Sequence, residues 1–296
     1  MTEAIMEPPE APAEERWDAS SLFVGTYVIW LRDMKRFWRD TPRRVGLFFQ
    51  PLIYLFILGI GLQSAFRLFG SGDTRYVTFI YPGIIGMTIL FTAVFSAISI
   101  IWDRQFGFLK EVMVAPTPRS SMALGKIFGG GTTAFIQGGI LLLLAFIPYF
   151  LGFSLSTLYK VLAMIPVIAL LALSMTSLGV VIAARMRSFE GFPIVINFIL
   201  LPMFFLSGAM FPLQGLPGWM DFLTKIDPLT YAVDALRGIA LRGIDLGGAS
   251  GAPSGMASQM TQLQVQRFPM WLDLLVVAAF GAVLLVVSIR QFGKQD

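Results

Sequence analysis

A chain of 296 residues that is 56% hydrophobic and only 14% charged stands well outside the composition of soluble domains. It reads as an integral membrane protein, and a net charge of only +4 says little about nucleic acid; where the charges lie matters more. With neither Cys nor His, it excludes disulfide frameworks, thiolate or imidazole metal sites, and Cys- or His-dependent catalysis.

Residues 1–16 carry five Glu and three Pro among scattered apolar residues, an acidic tail expected to be disordered. The tail has no basic n-region and no apolar h-region, so no cleavable signal peptide is expected. Residues 17–44 form an amphipathic helix. Phe23, Tyr27, Trp30, Met34 and Phe37 mark one face, and Arg32, Lys35, Arg36 and Arg39 fill much of the rest. Spanning a bilayer would bury those four cations, so this helix is expected to lie in the membrane interface with its basic side towards anionic headgroups.

Residues 45–296 form an all-α, six-span transmembrane domain on hydropathy, with spans at 45–66, 79–101, 127–150, 161–184, 192–211 and 271–289. The first five hold no charge away from their ends, so a proton- or ion-driven mechanism has no intramembrane carboxylate or Lys to use. Gln50, Gln63, Gln137 and Asn197 are the notable polar residues, read as interhelical hydrogen bonds rather than substrate ligands. Gly129–Gly131 and Gly138-Gly139 are read as close helix packing. No internal repeat is evident.

Two segments interrupt the apolar pattern. Between the second and third spans, 103–126 holds six charges: Asp103, Arg104, Lys110, Glu111, Arg119 and Lys126. That density must stand at a membrane face. Phe106, Leu109 and Met113 recur at helical spacing, predicting a short amphipathic helix ended by Pro116 and Pro118. It is either a solvated hairpin or a helix that docks another protein.

The second segment, 212–243, lies between the fifth and sixth spans. Trp219, Phe222, Leu223 and Ile226 suggest a short helix after Pro217. Asp227 can cap and Pro228 can open a second helix, with Leu229, Val233, Leu236 and Ala240 on one face. Two helices too short to span suggest an external re-entrant or interfacial hairpin, or else a surface loop sealed by Trp219 and Tyr231. A Gly-, Ala- and Ser-rich linker follows at 247–255.

Lys and Arg set the orientation. Fifteen fall in the N-terminal segment, 103–126, the 185–190 turn and the C-terminal tail, against seven in the longer segments of the other side. The positive-inside rule then puts both termini and 103–126 in the cytoplasm. The two Gly-Lys pairs, Gly125-Lys126 and Gly293-Lys294, lack the leading Gly and the following Ser or Thr of a P-loop. ATP hydrolysis would fall to another polypeptide.

The stretches DRQFGFLKEVMVAPTPRSSMALGK and FLSGAMFPLQGLPGWMDFLTKIDPLTYAVDALRGI together resemble the permease subunit of type-2 ATP-binding-cassette exporters. The likeness is closest to the daunorubicin-resistance and nodulation-factor export permeases. It runs from Trp17 to Arg290. The coupling-helix pattern is matched at Asp103, Arg104 and Gly107, and its closing residues at Ala115-Pro116 and Gly125-Lys126. The outer motif is matched at Ser207-Gly208, Phe211-Pro212, Leu216-Pro217, Trp219, Pro228, Tyr231 and Arg237. Phe108 and Lys110 depart from the Thr and Glu common in the family.

The resemblance implies half of a membrane pore in the cytoplasmic (inner) membrane. A second permease subunit, identical or paralogous, would complete it. A separate P-loop ATPase would carry ATP and Mg, and this chain would bind no cofactor and no nucleic acid. Coupling to that ATPase would fall to Asp103, Arg104, Phe106, Gly107, Leu109, Glu111, Met113, Pro116, Arg119 and Lys126. Closure of the outer mouth would fall to Phe211, Pro212, Trp219, Asp227, Pro228, Tyr231 and Arg237. An amphipathic cargo (drug, lipid or lipid-linked saccharide) would move outward. The rival readings are a gradient-driven transporter and a non-transporting membrane anchor or sensor.

Overall fold

The computed structural model of the chain describes residues 19–61, 76–107, 118–147, 150–211, 213, 216–242 and 267–293. Among them all regular structure is helical. The order is α1 (Ala19–Arg39), α2 (Thr41–Gly61), α3 (Tyr76–Ser96), α4 (Ile98–Gln105), α5 (Arg119–Leu143), α6 (Leu155–Arg185), α7 (Gly191–Leu206), α8 (Gly218–Ile226), α9 (Pro228–Ala240) and α10 (Met270–Gly293). The acidic tail, Gln63 and the 247–255 linker lie outside the described residues.

Among the described residues, five stretches are long and apolar enough to cross a membrane: 44–61, 77–105, 119–146, 155–185 and 270–293. The chain is thus a multi-pass membrane protein. The expected span at 192–211 is the 16-residue helix α7, which at ~1.5 Å per residue covers only ~24 Å of a ~30 Å hydrocarbon layer. Gly208, at φ +72°, turns the chain just beyond it. The pattern there is apolar past the helix end because the following loop is itself buried, at Ser207 and Ala209.

Three boundaries differ from the hydropathy reading for local reasons. The interfacial helix stops at Arg39, and Thr41 with Pro42 opens α2, since Pro fits the first turn of a helix. The 79–101 run extends to Gln105 as α3 and α4. They meet at Ala97, where Ser96 Oγ bonds back to Ala93 O at 2.6 Å and the backbone tightens into i to i+3 bonds. Finally α5 begins at Arg119, so the last eight residues of 103–126 belong to a spanning helix and not to a connecting loop.

The core lies around α3 and α6. Ile80, Ile84, Ile85, Ile89 and Leu90 on α3, and Ile168, Leu171, Ala172 and Met175 on α6, are fully buried. Helices α5, α9 and α10 pack around this pair, α1 lies along α5, and α2 and α7 cover α3. Small residues bring the axes together. Gly131 faces Leu173 of α6, Gly138 faces Ile89 of α3, and Gly281 of α10 sits on Ser174, whose Oγ donates to Val277 O at 3.0 Å. Gly139 faces open space, so the close-packing reading holds for its neighbours and not for it.

Candidate functional site

Helices α3 and α4 act as one rod from Val77 to Gln105, 29 residues or ~43 Å, with a cluster of polar contacts at each end. At the Gln105 end, four charges from three elements meet. Lys126 Nζ on α5 lies 2.6 Å from Asp103 Oδ2 on α4 and 3.0 Å from Asp33 Oδ2 on α1, and donates to Ser99 Oγ at 3.1 Å. Arg32 reaches the same pair, 2.5 Å from Asp103 Oδ2 and 3.2 Å from Asp33 Oδ1. The Lys126 side chain is 1% exposed and that of Asp103 7%. Two anions and two cations close on each other, which is the condition under which buried charges are tolerated.

The local sequence explains the meeting. Asp33 is the only acidic residue of α1. Gly125 and Gly129, one turn apart on α5, let α1 approach: a Cβ at Gly125 would fall 2.6 Å from Ile29 Cβ, and one at Gly129 3.2 Å from Asp33 Cβ. Trp30 Nε1 adds a hydrogen bond to Thr132 Oγ1 at 3.0 Å. Hence α1 is anchored to α4 and α5, and of its four expected outward cations Lys35, Arg36 and Arg39 are exposed while Arg32 is not. Arg32 is turned into the protein, Ile29, Met34 and Phe37 are buried, and Phe23 and Tyr27 of the expected inner face are exposed.

Arg104 faces the other way. Its guanidinium donates to Met186 O at 2.8 Å and Ala184 O at 3.0 Å, closing the C-terminal carbonyls of α6. Gln105 Nε2 donates to Arg187 O at 3.3 Å, and Trp102 packs on Phe189 with Arg36 over its ring at 4.5 Å. The end of the rod is thereby tied to the 186–190 turn as well.

Past Gln105 the helix stops. Phe106 is 82% exposed, and Gly107, at φ +80°, supplies the left-handed residue that ends helices. Leu109, Glu111, Met113 and Pro116 lie outside the described residues. Arg119 is exposed at the first turn of α5. The coupling residues named from the sequence therefore divide. Asp103, Arg104 and Lys126 are bound into the frame, whereas Phe106 projects from it. Gly125-Lys126 does not close a loop, because it sits in the second turn of α5.

At the other end of the rod, α9 is buried along nearly its whole length. This differs from a surface loop sealed by two aromatic residues: Trp219 on α8 is 66% exposed, but Tyr231 on α9 is 8%. Asp227 caps α9, accepting from Leu229 N at 2.9 Å, and Pro228 occupies its first turn. Burial pushes the Asp227 carboxyl up to about 7, and burial also raises that of Asp234. Asp234 accepts from the backbone N–H groups of Arg267, at 2.8 and 3.0 Å, and of Phe268, at 2.8 Å. Tyr231 stacks on Phe268 at 5.0 Å and donates to Lys225 O at 2.7 Å. Arg237 lies over the Phe79 ring at 4.1 Å and donates to Gly208 O at 2.6 Å, which anchors the turn after the short α7. Phe211 is half-buried at that turn, and Pro212 lies outside the described residues.

Midway along the rod, a cleft of about 500 Å³ opens between α2, α3, α5 and α7. Gln50, Thr92, Gln137 and Asn197 line it with Phe91 and Phe95. Gln137 is satisfied as expected, accepting from Thr92 Oγ1 at 2.7 Å and donating to Leu47 O. Gln50 and Asn197 instead stand exposed in the cleft.

Sequence reading missed Arg32, Asp33, Ser99 and Arg267 as partners in these clusters. A signal existed for Asp33, a lone carboxylate in a basic helix, and for the Gly125/Gly129 pair. None existed for Arg267, whose contacts join segments far apart in the chain.

Comparison with known proteins agrees with this architecture. Residues 25–241, from α1 to the end of α9, match the family model described as ABC-2 type transporter. The ycf38 transport permease of Cyanophora paradoxa is 30% identical over 189 residues, covering 64% of this chain and 64% of that protein, just under two thirds of its length. Nodulation protein J of Rhizobium meliloti (strain 1021) is 32% identical over 201 residues, covering 67% of this chain and 73% of that protein. Nodulation protein J of Rhizobium leguminosarum bv. trifolii is 32% identical over 200 residues with the same coverage. With five span-length apolar helices and the shorter α7 among the described residues, and a family match across most of its length, the chain is a multi-pass membrane protein of the ABC-2 type transporter family.

Proposed function

We propose that this chain is the permease subunit of an ATP-driven exporter in the cytoplasmic membrane. It works with a second permease subunit and a separate P-loop ATPase, and moves an amphipathic substrate such as a drug, lipid or lipid-linked saccharide outward. The observation that carries the reading is the division at the Gln105 end of the rod. Phe106 is an exposed aromatic at the tip of a helix whose preceding residues, Asp103 and Arg104, are fixed to three other helices. An exposed aromatic on a rigid mount is what an interface anchor requires, and a rigid mount lets a push at the tip move the rod instead of bending a loop.

The Lys and Arg asymmetry puts this end and both termini in the cytoplasm, where ATP is. ATP and Mg stay on the partner, and this chain contributes no catalytic residue and binds no cofactor itself. The partner's differential affinity for two arrangements of the rod supplies the bias between inward- and outward-open states. Phe106→Ala with Leu109→Ala is expected to reduce copurification of the ATPase at least tenfold while membrane insertion stays at wild-type level. Undiminished copurification would sink the proposal.

The gradient-driven rival makes a different forecast. The charges at Arg32, Asp33, Asp103 and Lys126 lie at one end of the rod and neutralise one another, so they form no proton path through the middle. Transport should persist when the proton gradient is dissipated at constant ATP. Collapse under an uncoupler at fixed ATP would favour the rival.

A further inference from the structure

The cleft at the middle of the rod has a composition that selects its ligand. Thr92 lies between Gly83 and Asp103 on the rod, roughly 15 Å from each at ~1.5 Å per residue. The outer contacts of Gly83 with Ala209 mark one end and the charge cluster of Asp103 the other. At this depth the surroundings are hydrocarbon, and a polar side chain is retained only where it has a partner or a use. Gln137 and Thr92 partner each other. Gln50 and Asn197 make no hydrogen bond to another described residue, and they face the cleft from α2 and α7. Each carboxamide offers two N–H donors and two acceptor lone pairs. Among the described residues, no Asp, Glu, Lys or Arg lines the cleft. Phe91 and Phe95, stacked with centroids 6.3 Å apart, give one wall an apolar surface beside these amides.

We propose that this cleft binds the uncharged, hydrogen-bonding head group of an amphipathic molecule, with Gln50 and Asn197 as its direct partners and Phe91 and Phe95 against its apolar part. The assignment rests on the permease reading and narrows its substrate class. Donors and acceptors in equal number suit a polyol or an amide, which both gives and takes hydrogen bonds. A phosphate, carboxylate or ammonium head would enter without a counter-charge, and in a low-dielectric cleft its lost hydration would not be replaced. The volume of about 500 Å³ lies in the range of small-molecule sites and would hold a head group with the first part of its chain.

The test uses the full chain alone, reconstituted in phosphatidylcholine nanodiscs. Three photoreactive dodecyl amphipaths share a diazirine on the first chain carbons and differ only in the head: maltoside, phosphate and trimethylammonium. After irradiation, labelled peptides are mapped by mass spectrometry. The maltoside probe is expected to label the 87–95 segment saturably, and at least tenfold more than either charged probe at equal membrane concentration. Gln50→Leu with Asn197→Leu should lower that labelling at least tenfold. Both side chains are exposed, so helix content and elution volume should not change. As a control that spares the carboxamide chemistry, Gln50→Asn should retain labelling within a few-fold. Equal labelling by charged probes would overturn the proposal. So would wild-type labelling of the double variant, which would leave the two carboxamides as contacts to a second copy of the chain. Because the assay contains no ATPase, its failure leaves the partner reading standing, and loss of ATPase copurification leaves the cleft result standing.

Discussion

The two ends of the α3–α4 rod solve the same problem, holding polar groups in an apolar protein, in different ways. At the Asp103 end, the buried cluster joins side-chain charges to side-chain charges across α1, α4 and α5, with Arg104 beside it on the last carbonyls of α6. At the Phe79 end, the buried groups are held by main-chain atoms: Asp227 takes an amide of α9, Asp234 takes the amides of Arg267 and Phe268, and Arg237 takes a carbonyl of the turn after α7, while the half-buried Asp221 on α8 pairs with Lys225 and Arg267. Paired charges fix whole helices relative to one another and leave Phe106 exposed beyond them. Charge-to-backbone bonds fix the shape of loops. The first arrangement suits a mount that receives a load, and the second suits a closure whose loops must keep one form until they are displaced.

The largest effect is expected from breaking the mount. Lys126→Met leaves Asp33 and Asp103 with Arg32 as their one remaining cation in the cluster. Losing one partner of a buried pair costs about 3–5 kcal/mol. The unfolding midpoint of the purified protein should fall by several degrees, and α1 should become more sensitive to protease. Adding Asp103→Asn to Lys126→Met should recover part of the loss, because Arg32 and Asp33 can then pair alone. No recovery would mean that the cluster is not an electrostatic unit.

At the other end, Arg237→Gln should cost less, about 1.5–3 kcal/mol for a charged hydrogen bond. It should loosen the 207–211 turn, read as faster amide exchange there with little change at α1. Equal loosening at both ends would erase the distinction drawn between them.

Asp227 gives that end a pH dependence. Its carboxyl is raised by burial to about 7 in the folded protein, against an ordinary value near 3.8. Between those values the unfolded chain has already lost the proton that the folded chain keeps. Stability from this group is therefore full below about pH 4, falls as pH rises towards 7, and levels off above it. Asp227→Asn should flatten the unfolding midpoint across that window. Asp234, also raised by burial, should contribute residual slope in the same direction. An Asn variant with the wild-type slope would place the dependence elsewhere.

The smallest stability effect is expected at the tip. Phe106→Ala removes an exposed ring and should move stability by no more than about 0.5 kcal/mol. A large loss would mean that Phe106 is part of the mount.

Much of this was legible in the sequence. Long apolar runs announce spans because a helix in lipid must satisfy its own backbone and bury no charge, and Asp227-Pro228 announces a helix start because a carboxylate can accept from the first-turn amides. What hydropathy could not give was depth. Lys126 reads as a loop residue because a cation alone is costly in a span, yet two carboxylates from helices distant in sequence neutralise it. Arg32 reads as facing the headgroups for the same reason. Likewise, α7 reads four or five residues too long, since the turn after it is apolar without being helical. Where a residue's partner lies dozens of positions away, periodicity carries no information about it.

The central claim is that a push at the Phe106 end is delivered as movement at the α9 end, and it is tested most directly by measuring phosphate released and substrate moved in the same vesicles. The comparison is between the wild-type complex and one carrying Asp227→Ala with Pro228→Gly, a change at the outer hairpin alone. These substitutions remove a cap worth roughly 0.5–2 kcal/mol and the fixed backbone angle that opens α9. The account predicts intact assembly with the ATPase and near-wild-type hydrolysis, with several-fold less substrate moved per ATP. An unchanged ratio of substrate to phosphate would contradict it, because the hairpin would then be packing that the transport cycle does not use.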